Sequence, residues 1–199
     1  DSTFFFSSMR PDIVLENNSS DTLYSYRSKI FFSKVKNNEI ISVEEWDSII
    51  NDKNFNVANL TFSTDRTKVF FSNCSKKGDS LHCQLYFSEM KNQKWSEPKK
   101  MDDKINLPCC SSTQPAITMG EEGNDVLYFV SDRAGGQGGW DIWSCTLLPN
   151  GKITAPTNLV PIINTEGNEI SPYFHSNTDV LYFSSDWHKG FGGFDIFKS

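Results

Sequence analysis

The sequence predicts an all-β protein of the β-propeller class, on three observations. Residues 127–145 (LYFVSDRAGGQGGWDIWSC) recur as residues 181–199 (LYFSSDWHKGFGGFDIFKS). Each copy consists of short alternating segments separated by polar or Gly-containing turns, which is typical of strands. A unit of this length cannot bury its apolar face alone and must pack against copies of itself. The hydrophobic anchors of four such units lie 55, 57 and 54 residues apart, at Ile30, Leu85, Ile142 and Ile196.

Each complete unit is predicted to contain four strands. In the second unit these are residues 59–63, 68–73, 84–90 and 94–98, and the polar residues 91–93 form a tight turn before the last strand. The first unit lacks its opening strand and the last unit ends in its third strand. The chain is therefore predicted to hold two whole and two partial four-stranded antiparallel blades of a larger propeller.

The blade boundaries follow from this count. The predicted segments are a partial blade with strands 2 to 4 and a connector (1–55), two whole blades (56–111 and 112–163), and a partial blade with strands 1 to 3 (164–199). A helical solenoid is disfavoured because the chain lacks long apolar stripes of helical spacing. Residues 42–51, which begin with Ser-x-x-Glu, are predicted to form one short helix.

Composition excludes several classes of function. The net charge is −6 and no lysine-rich run occurs, which disfavours binding to nucleic acid or to an anionic membrane. No apolar run is long enough to span a membrane and no signal peptide is recognised, so no direct membrane span is expected in this segment. The chain begins at Asp1 without Met, which fits a mature or internal segment.

The cysteines indicate one disulfide. Cys74 and Cys83 lie nine residues apart at the two ends of a predicted hairpin, which favours a cross-strand bridge and an oxidising compartment. A second bridge among Cys109, Cys110 and Cys145 is open, and so is the alternative that all five cysteines are reduced. Cysteine and histidine spacing matches no standard zinc site, and no metal or other cofactor is predicted.

Acidic and glycine residues recur on the third and fourth hairpins. Short acidic side chains beside a Gly-rich turn can accept hydrogen bonds from backbone amides, so these residues are predicted to brace the hairpins. The alternative is a catalytic carboxylate pair or a set of calcium ligands, but a catalytic pair is expected to occur once and not in every repeat. The predicted braces are Asp132, Asp141, Asp186, Asp195, Gly138, Gly139, Gly192 and Gly193.

No motif of nucleophilic catalysis is present, neither a G-x-S-x-G elbow nor an H-E-x-x-H helix. We therefore predict no catalytic residue and no enzymatic activity for this segment. Most aromatic residues are expected to pack between blades. Trp140, Trp187 and Phe191 fall on or beside hairpin tips and are predicted to form an interaction surface, with simple packing as the alternative.

The repeat resembles the WD40-like repeats of the TolB type, also called PD40. The resemblance rests on a proline followed by V-L-Y-F-x-S-D and then G-G-x-D-I-F/W, at Pro115, 127–132 and 138–143 and again at Pro172, 181–186 and 192–197. It is strong in the third and fourth units and weaker in the first two, where cysteines or other polar residues replace the Asp and Gly signature.

The segment N-T-x-x-N-E-x-S-P-x-F at residues 164–174 makes the repeats similar to those of Bacteroidota cell-envelope proteins. These include periplasmic lipoproteins and OmpA-family proteins of the type IX secretion and gliding machinery. The resemblance implies a periplasmic, outer-membrane-associated location and partners among other envelope proteins, with the rest of the propeller on the same longer chain. It also implies possible O-glycosylation in D-S/T-x patterns, at Ser2, Thr22, Ser48 and Ser80.

Three functions follow from these expectations. The first is a non-enzymatic protein–protein interaction scaffold in a type IX secretion or gliding complex. The second is a carbohydrate-binding, glycosidase-like or sialidase-like propeller. The third is the propeller cap of a prolyl-oligopeptidase-like hydrolase, whose catalytic domain would lie elsewhere.

Overall fold

The chain folds into antiparallel β-sheets arranged as successive propeller blades. A computed structural model describes residues 2–14, 23–53, 55–78 and 80–199. Blade 1 contains β1 (Ser2–Val14), β2 (Leu23–Lys36) and β3 (Glu39–Glu45). Blade 2 contains β4 (Asn56–Phe62), β5 (Lys68–Lys77), β6 (Ser80–Lys91), β7 (Lys94–Trp95) and β8 (Lys99–Lys100). Blade 3 contains β9 (Ser112–Met119), β10 (Asp125–Ser131), β11 (Asp141–Leu147) and β12 (Thr157–Asn158), and blade 4 contains β13 (Glu169–His175), β14 (Val180–Ser185) and β15 (Asp195–Lys198).

Strand order confirms the predicted propeller of two whole and two partial blades. Blade 3 is ordered β12-β11-β10-β9, and blade 2 follows the same path from β4 to β7, with β8 also pairing with β6. Blades 1 and 4 have three strands each. The innermost strand β9 contacts both β4 and β13, so the first strands of successive blades lie side by side. We call the end of a blade where its innermost strand begins the upper end, and the opposite end the lower end.

The predicted helix at residues 42–51 does not form. Residues up to Glu45 belong to β3, which pairs with β2, and residues 48–50 form a turn. The alternating Ile and Val residues of this segment fit a pleated strand, and pairing with β2 outweighs the local Ser-x-x-Glu signal. The strands β4, β5 and β6 are also longer than predicted, because backbone pairing continues past the apolar residues into the polar hairpin.

The hydrophobic core lies between neighbouring blades and not within any one of them. Phe71, Val69 and Ile30 are buried between blades 1 and 2, while Leu127 and Phe129 pack against Leu85 between blades 2 and 3. Val130, Ile142 and Phe183 form the corresponding cluster between blades 3 and 4. Burial of one such side chain contributes about 1.5–3 kcal/mol. Each blade is therefore stabilised by the next one, as the repeat predicts.

Three buried asparagines connect each blade to the start of the following one. The backbone N–H of each hydrophobic anchor donates to an asparagine Oδ1 at 2.8 Å. The same asparagine donates from Nδ2 to the anchor's carbonyl oxygen at 2.7 to 2.8 Å. The pairs are Asn51 with Ile30, Asn106 with Leu85, and Asn164 with Ile142. Sequence analysis missed them, although an Ile-Asn pair recurs at residues 50–51, 105–106 and 163–164.

Candidate functional site

The innermost strands of blades 2, 3 and 4 each carry an irregularity at the same position. Asn59, Gln114 and Ser171 have φ values of 51°, 52° and 56°. Strand pairing shifts register around each of them. A non-glycine residue in the left-handed region costs energy, and such residues and β-bulges concentrate at functional sites, where they redirect a side chain. This ring of bulges is the first indication of where a site lies.

Each bulge presents its backbone N–H to the neighbouring blade, where a side-chain oxygen accepts it. In blades 2 and 3 the acceptor is a serine hydroxyl. Blade 3 has Val130 at the position equivalent to Ser72, and a valine side chain cannot accept a hydrogen bond. The N–H of Ser171 in blade 4 therefore donates to the side-chain oxygen of Gln114. The bonds are Asn59 N–H to Ser7 Oγ (2.8 Å), Gln114 N–H to Ser72 Oγ (2.9 Å) and Ser171 N–H to Gln114 Oε1 (2.5 Å).

A groove of about 570 Å³ opens at the upper end of blades 2 to 4. The polar residues of its lining include Asn59, Gln114 and Asn168. Its sides include Trp140 and Phe194 from the Gly-rich hairpins of blades 3 and 4. The remaining lining is Cys74, Leu81, Cys83, Thr113, Val130 and Ile170. None of these side chains carries a charge, since the two cysteines are bonded to each other. The groove therefore combines amide groups with apolar and aromatic surface.

A second hollow of about 570 Å³ lies at the lower end. Its lining includes Phe5, Phe62, Arg66, Met119 and Phe174. It lies at the far ends of the inner strands, away from the bulges and the Gly-rich hairpins. We therefore take the upper groove as the candidate site.

Asp141 and Asp195 hold the Gly-rich hairpins that carry the groove's aromatic residues. Asp141 is almost fully buried and accepts the N–H groups of Gln137 (2.5 Å) and Gly138 (3.2 Å). Asp195 accepts the corresponding N–H groups in blade 4, from Phe191 (2.7 Å) and Gly192 (3.3 Å). Each of these carboxylates bonds the backbone of its own hairpin.

Asp132 and Asp186 bond the segment that leads into each inner strand. Asp132 accepts the N–H of Ser111 at 2.7 Å. Asp186 accepts both the backbone N–H and the side-chain Nδ2 of Asn168, each at 2.7 Å. Hydrogen bonds from Asn168 lower the pKa of Asp186 below its ordinary value. The amide of Asn168 is thereby oriented, and its Oδ1 accepts the N–H of Trp140 at 3.1 Å.

The glycines of the same hairpins differ in their surroundings. A Cβ on Gly138 would lie 1.9 Å from the carbonyl oxygen of Gly167, and one on Gly139 would lie 2.5 Å from Asn168 Oδ1. No atom lies within 4 Å of a Cβ placed on Gly192 or Gly193. The hairpin of blade 3 is therefore packed against the segment leading into β13.

Cys74 and Cys83 form a disulfide across the hairpin of β5 and β6, where the two residues are directly paired. Both line the groove. The other three cysteines are not bonded, and of these Cys109 is exposed while Cys110 and Cys145 are buried.

Of the three predicted interaction aromatics, the structure brings only Trp140 into the groove. Trp187 is 59 % exposed and Phe191 is fully exposed, and both lie on the blade 4 hairpin outside the groove lining. Sequence analysis missed Phe194, which occupies the position of Trp140 in the next repeat, between Gly-Gly and Asp. Alignment of the two hairpins would have identified it. It also missed Asn59, Gln114 and Asn168.

Three of the predicted O-glycosylation positions, Ser2, Ser48 and Ser80, are not among the residues that line the groove. Ser2, Ser48 and Ser80 are exposed, and Thr22 lies outside the described residues. Among the described residues, no three His, Cys, Asp or Glu side chains are grouped so that they could hold a metal ion. The described part of the chain also contains no helix with the length and hydropathy needed to cross a membrane.

Comparison with known proteins identifies the fold. No protein-family profile and no curated protein matches the sequence. Among solved structures, an α-L-arabinofuranosidase from Lactobacillus brevis is similar with a TM-score of 0.57 and 12 % identity, over 99 % of this chain and 67 % of that one. An endo-arabinase from Bacteroides thetaiotaomicron is similar with a TM-score of 0.50 and 13 % identity, over 94 % of this chain and 73 % of that one. A thermostable family-43 glycoside hydrolase is similar with a TM-score of 0.51 and 10 % identity, over 94 % of this chain and 69 % of that one. The chain has the fold of a propeller of this kind.

These comparisons correct several predictions. The similar structures are propeller glycoside hydrolases, so the predicted membership of the TolB-type envelope repeat proteins is wrong. The predicted type IX secretion and gliding partners are wrong for the same reason, and so is the prediction of no enzymatic activity, because the similar structures are glycoside hydrolases. The physical reason is that four-stranded blades with Gly-rich hairpins are shared by propellers of unrelated function. The motif identifies the fold and does not identify what the fold carries.

Proposed function

We propose that this chain is part of a carbohydrate-active, glycosidase-like propeller whose upper groove binds an uncharged glycan. The observation that carries the proposal is the lining of that groove, in which Asn59, Gln114 and Asn168 face the same space as Trp140 and Phe194. The fold shared with the arabinofuranosidase and the endo-arabinase supports the same substrate class.

The chemistry of the lining suits a sugar. A carboxamide carries both donors and an acceptor, which matches the paired donor and acceptor character of sugar hydroxyl groups. Asn168 already bonds Asp186 and the N–H of Trp140, and Gln114 Oε1 accepts the N–H of Ser171, so these two amides offer a ligand their remaining donor and acceptor positions. Aromatic rings offer flat apolar surface for the C–H face of a pyranose or furanose ring, and a few polar groups in an apolar pocket are typical of small-molecule sites. Asn59 is exposed, and its side-chain amide makes no hydrogen bond to the described residues, so it is available to a ligand.

The placement of arginine disfavours an anionic glycan. Arg133, the arginine nearest in sequence to the groove's hairpins, is only 7 % exposed and is directed into the protein. Its guanidinium donates to the carbonyl oxygens of Lys104 (2.8 Å) and Ile105 and to Ser131 Oγ (3.0 Å). These bonds occupy it as a scaffold residue. A sialic acid or uronic acid carboxylate would therefore meet no cationic side chain in the groove lining.

Hydrolysis of a glycosidic bond ordinarily requires two carboxyl groups that flank it. Glu169, which follows Asn168, is fully buried and accepts bonds from Thr165 N–H (2.7 Å), Thr165 Oγ1 (2.6 Å) and Ser185 Oγ (2.6 Å), so it acts as a brace. Asp186 is accessible to solvent. It is bonded to Asn168 of the groove lining, and among the described carboxylates with such a bond we assign it as the one accessible to a bound glycan.

The test compares two matched asparagines. Asn59 and Asn92 are both exposed and have φ values of 51° and 50°. Asparagine tolerates this left-handed backbone conformation better than alanine does, so replacement by alanine has the same backbone cost at both positions. Asn59 lies in the groove, whereas Asn92 lies in the lower turn between β6 and β7. Binding of neutral arabino-oligosaccharides is measured by calorimetry. Asn59→Ala is expected to weaken binding about tenfold, which corresponds to roughly 1.4 kcal/mol, and Asn92→Ala is expected to leave it unchanged.

The same experiment includes sialylated and uronic-acid oligosaccharides, which are expected not to bind. Release of reducing sugar from arabinan and from aryl arabinofuranosides tests turnover by the same protein. Absence of binding to every neutral glycan, or equal loss of affinity in the two alanine variants, would show that the groove is not a carbohydrate site.

A further inference from the structure

Two adjacent cysteines lie together on the segment between β8 and β9. The sulfur atoms of Cys109 and Cys110 are 3.4 Å apart and unbonded. Cys109 is exposed, whereas Cys110 is 6 % exposed. One sulfur is therefore open to solvent and the other lies directly behind it.

The neighbouring residue anchors this pair between two blades. Ser111 donates its N–H to Asp132 at 2.7 Å, and its hydroxyl accepts the N–H of Cys83 at 3.1 Å. On the other side, Lys77 Nζ lies 3.5 Å from the carbonyl oxygen of Pro108. The dithiol is thus held on a segment that is bonded at both ends, so the two sulfurs remain near each other.

We propose that Cys109 and Cys110 form a redox-active dithiol site that organic disulfides, such as oxidised glutathione, convert to a vicinal disulfide. This site is independent of the glycan-binding groove. The short separation of the two sulfurs and the contrast in their exposure carry the proposal.

The reaction proceeds in two balanced exchanges. The Cys109 thiol loses its proton, and its sulfur attacks the organic disulfide to form a mixed disulfide, releasing one thiolate. The Cys110 thiol then loses its proton, and its sulfur attacks the Cys109 sulfur and releases the second thiolate. The protein loses two electrons and two protons, and the organic disulfide becomes two thiols.

The surroundings of Cys110 determine which exchange is slow. Burial, together with the adjacent Cys109, raises the pKa of the Cys110 thiol to about 11. The positive charge of Arg133 lowers the pKa of the Cys110 thiol, whereas the negative charge of Asp132 raises it, as burial does. Because the thiolate is the attacking species, closure by Cys110 is expected to quicken about tenfold for each unit of pH through the neutral range. The mixed disulfide at Cys109 is therefore expected to accumulate at low pH and to disappear at high pH.

Cys145 provides an internal control. It is 4 % exposed, and burial raises its pKa to about 12. It is expected to stay reduced under conditions that oxidise the vicinal pair.

The unsubstituted chain, with Cys109 and Cys110 reduced, is treated with oxidised glutathione at several pH values. The remaining thiols are then blocked, and the peptides are mapped by mass spectrometry. The expected product is a peptide containing residues 109–110 that has lost two hydrogens, preceded by a glutathione adduct on Cys109. Phenylarsine oxide, which binds paired thiols, is expected to bind the chain that retains the Cys74–Cys83 disulfide with one-to-one stoichiometry and not to bind Cys109→Ser. Since Cys109 is exposed, this variant is expected to fold. A glutathione adduct that persists at all pH values, or a bridge from Cys110 to Cys145, would overturn the proposal.

Discussion

The side-chain amide of Asn106 bonds the backbone N–H and the carbonyl oxygen of Leu85, each at 2.8 Å. Leu85 is a fully buried anchor of blade 2, and Asn106 lies in the segment leading into blade 3. One side chain thus satisfies both backbone groups of Leu85, and its Nδ2 also donates to the carbonyl oxygen of Met101 at 3.2 Å, which fixes the path from one blade to the next.

Replacement of Asn106 by alanine is expected to lower the free energy of unfolding by about 2–4 kcal/mol. The variant leaves a buried N–H without a partner and weakens the pairing of the buried carbonyl, and an unsatisfied buried group costs roughly 1–3 kcal/mol. Urea denaturation followed by tryptophan fluorescence measures the change. Asn177→Ala, in the exposed turn between β13 and β14, is the control and is expected to change stability by less than about 0.5 kcal/mol. A loss at Asn106 as small as that at Asn177 would contradict the role assigned to this amide.

Gly138 and Gly192 occupy the same position in successive repeats but are expected to respond differently to alanine. A Cβ at residue 138 would lie 1.9 Å from the Gly167 carbonyl oxygen, whereas a Cβ at residue 192 would have no surrounding atom within 4 Å. Backbone must move in the first case, so Gly138→Ala is expected to destabilise the chain by about 1–3 kcal/mol. Gly192→Ala is expected to stay within about 0.5 kcal/mol of the parent. Thermal unfolding of both variants is the measurement, and similar melting temperatures would show that the two hairpins are packed alike.

Asp186 is expected to make stability depend on pH in the acid range. Hydrogen bonds from Asn168 hold the pKa of Asp186 below its ordinary value of 3.8 in the folded chain. Its ionised form therefore stabilises the fold above that ordinary value, and the contribution is lost as the pH falls through the lower, folded-state value. Melting temperatures between about pH 6 and about pH 2 are expected to fall less steeply in Asp186→Asn than in the parent.

Glu166→Gln supplies the control for Asp186, because it removes one exposed negative charge two residues from Asn168 without removing a bond to Asn168. Its pH profile is expected to follow the parent. If Asp186→Asn and Glu166→Gln had the same profile, the hydrogen bonds to Asn168 would not be the source of the pH dependence.

Loss of the Cys74–Cys83 disulfide is expected to cost about 2 to 3 kcal/mol, since the bridge closes a short loop and restricts the unfolded chain. The double variant Cys74→Ala/Cys83→Ala is compared with the parent by urea denaturation. Cys109→Ser, which alters an exposed unbonded cysteine, is expected to leave the midpoint nearly unchanged. Equal midpoints for the double variant and the parent would mean that the bridge adds no stability.

The sequence identified more of the fold than of the site. The repeat of residues 127–145 in residues 181–199, together with the turn residues between strands, was enough to predict antiparallel blades and their order. These features are local, because alternation and turn chemistry depend on residues close in the chain. The functional inference rested on the resemblance of the same repeat to TolB-type repeats, and it failed because that motif belongs to a fold shared by propellers of unrelated function.

The site depended on tertiary structure. Asn59, Gln114 and Asn168 are separated by about one repeat each, and they face one groove only because the inner strands of three blades lie side by side. The bulges at Asn59 and Gln114 were not visible in the sequence, since one extra residue changes the side to which a strand's later residues point without changing its composition. The amino-acid sequence by itself therefore determined that the protein forms repeated antiparallel sheets. Packing between the sheets decided which polar residues meet, because that packing joins residues that no local pattern connects.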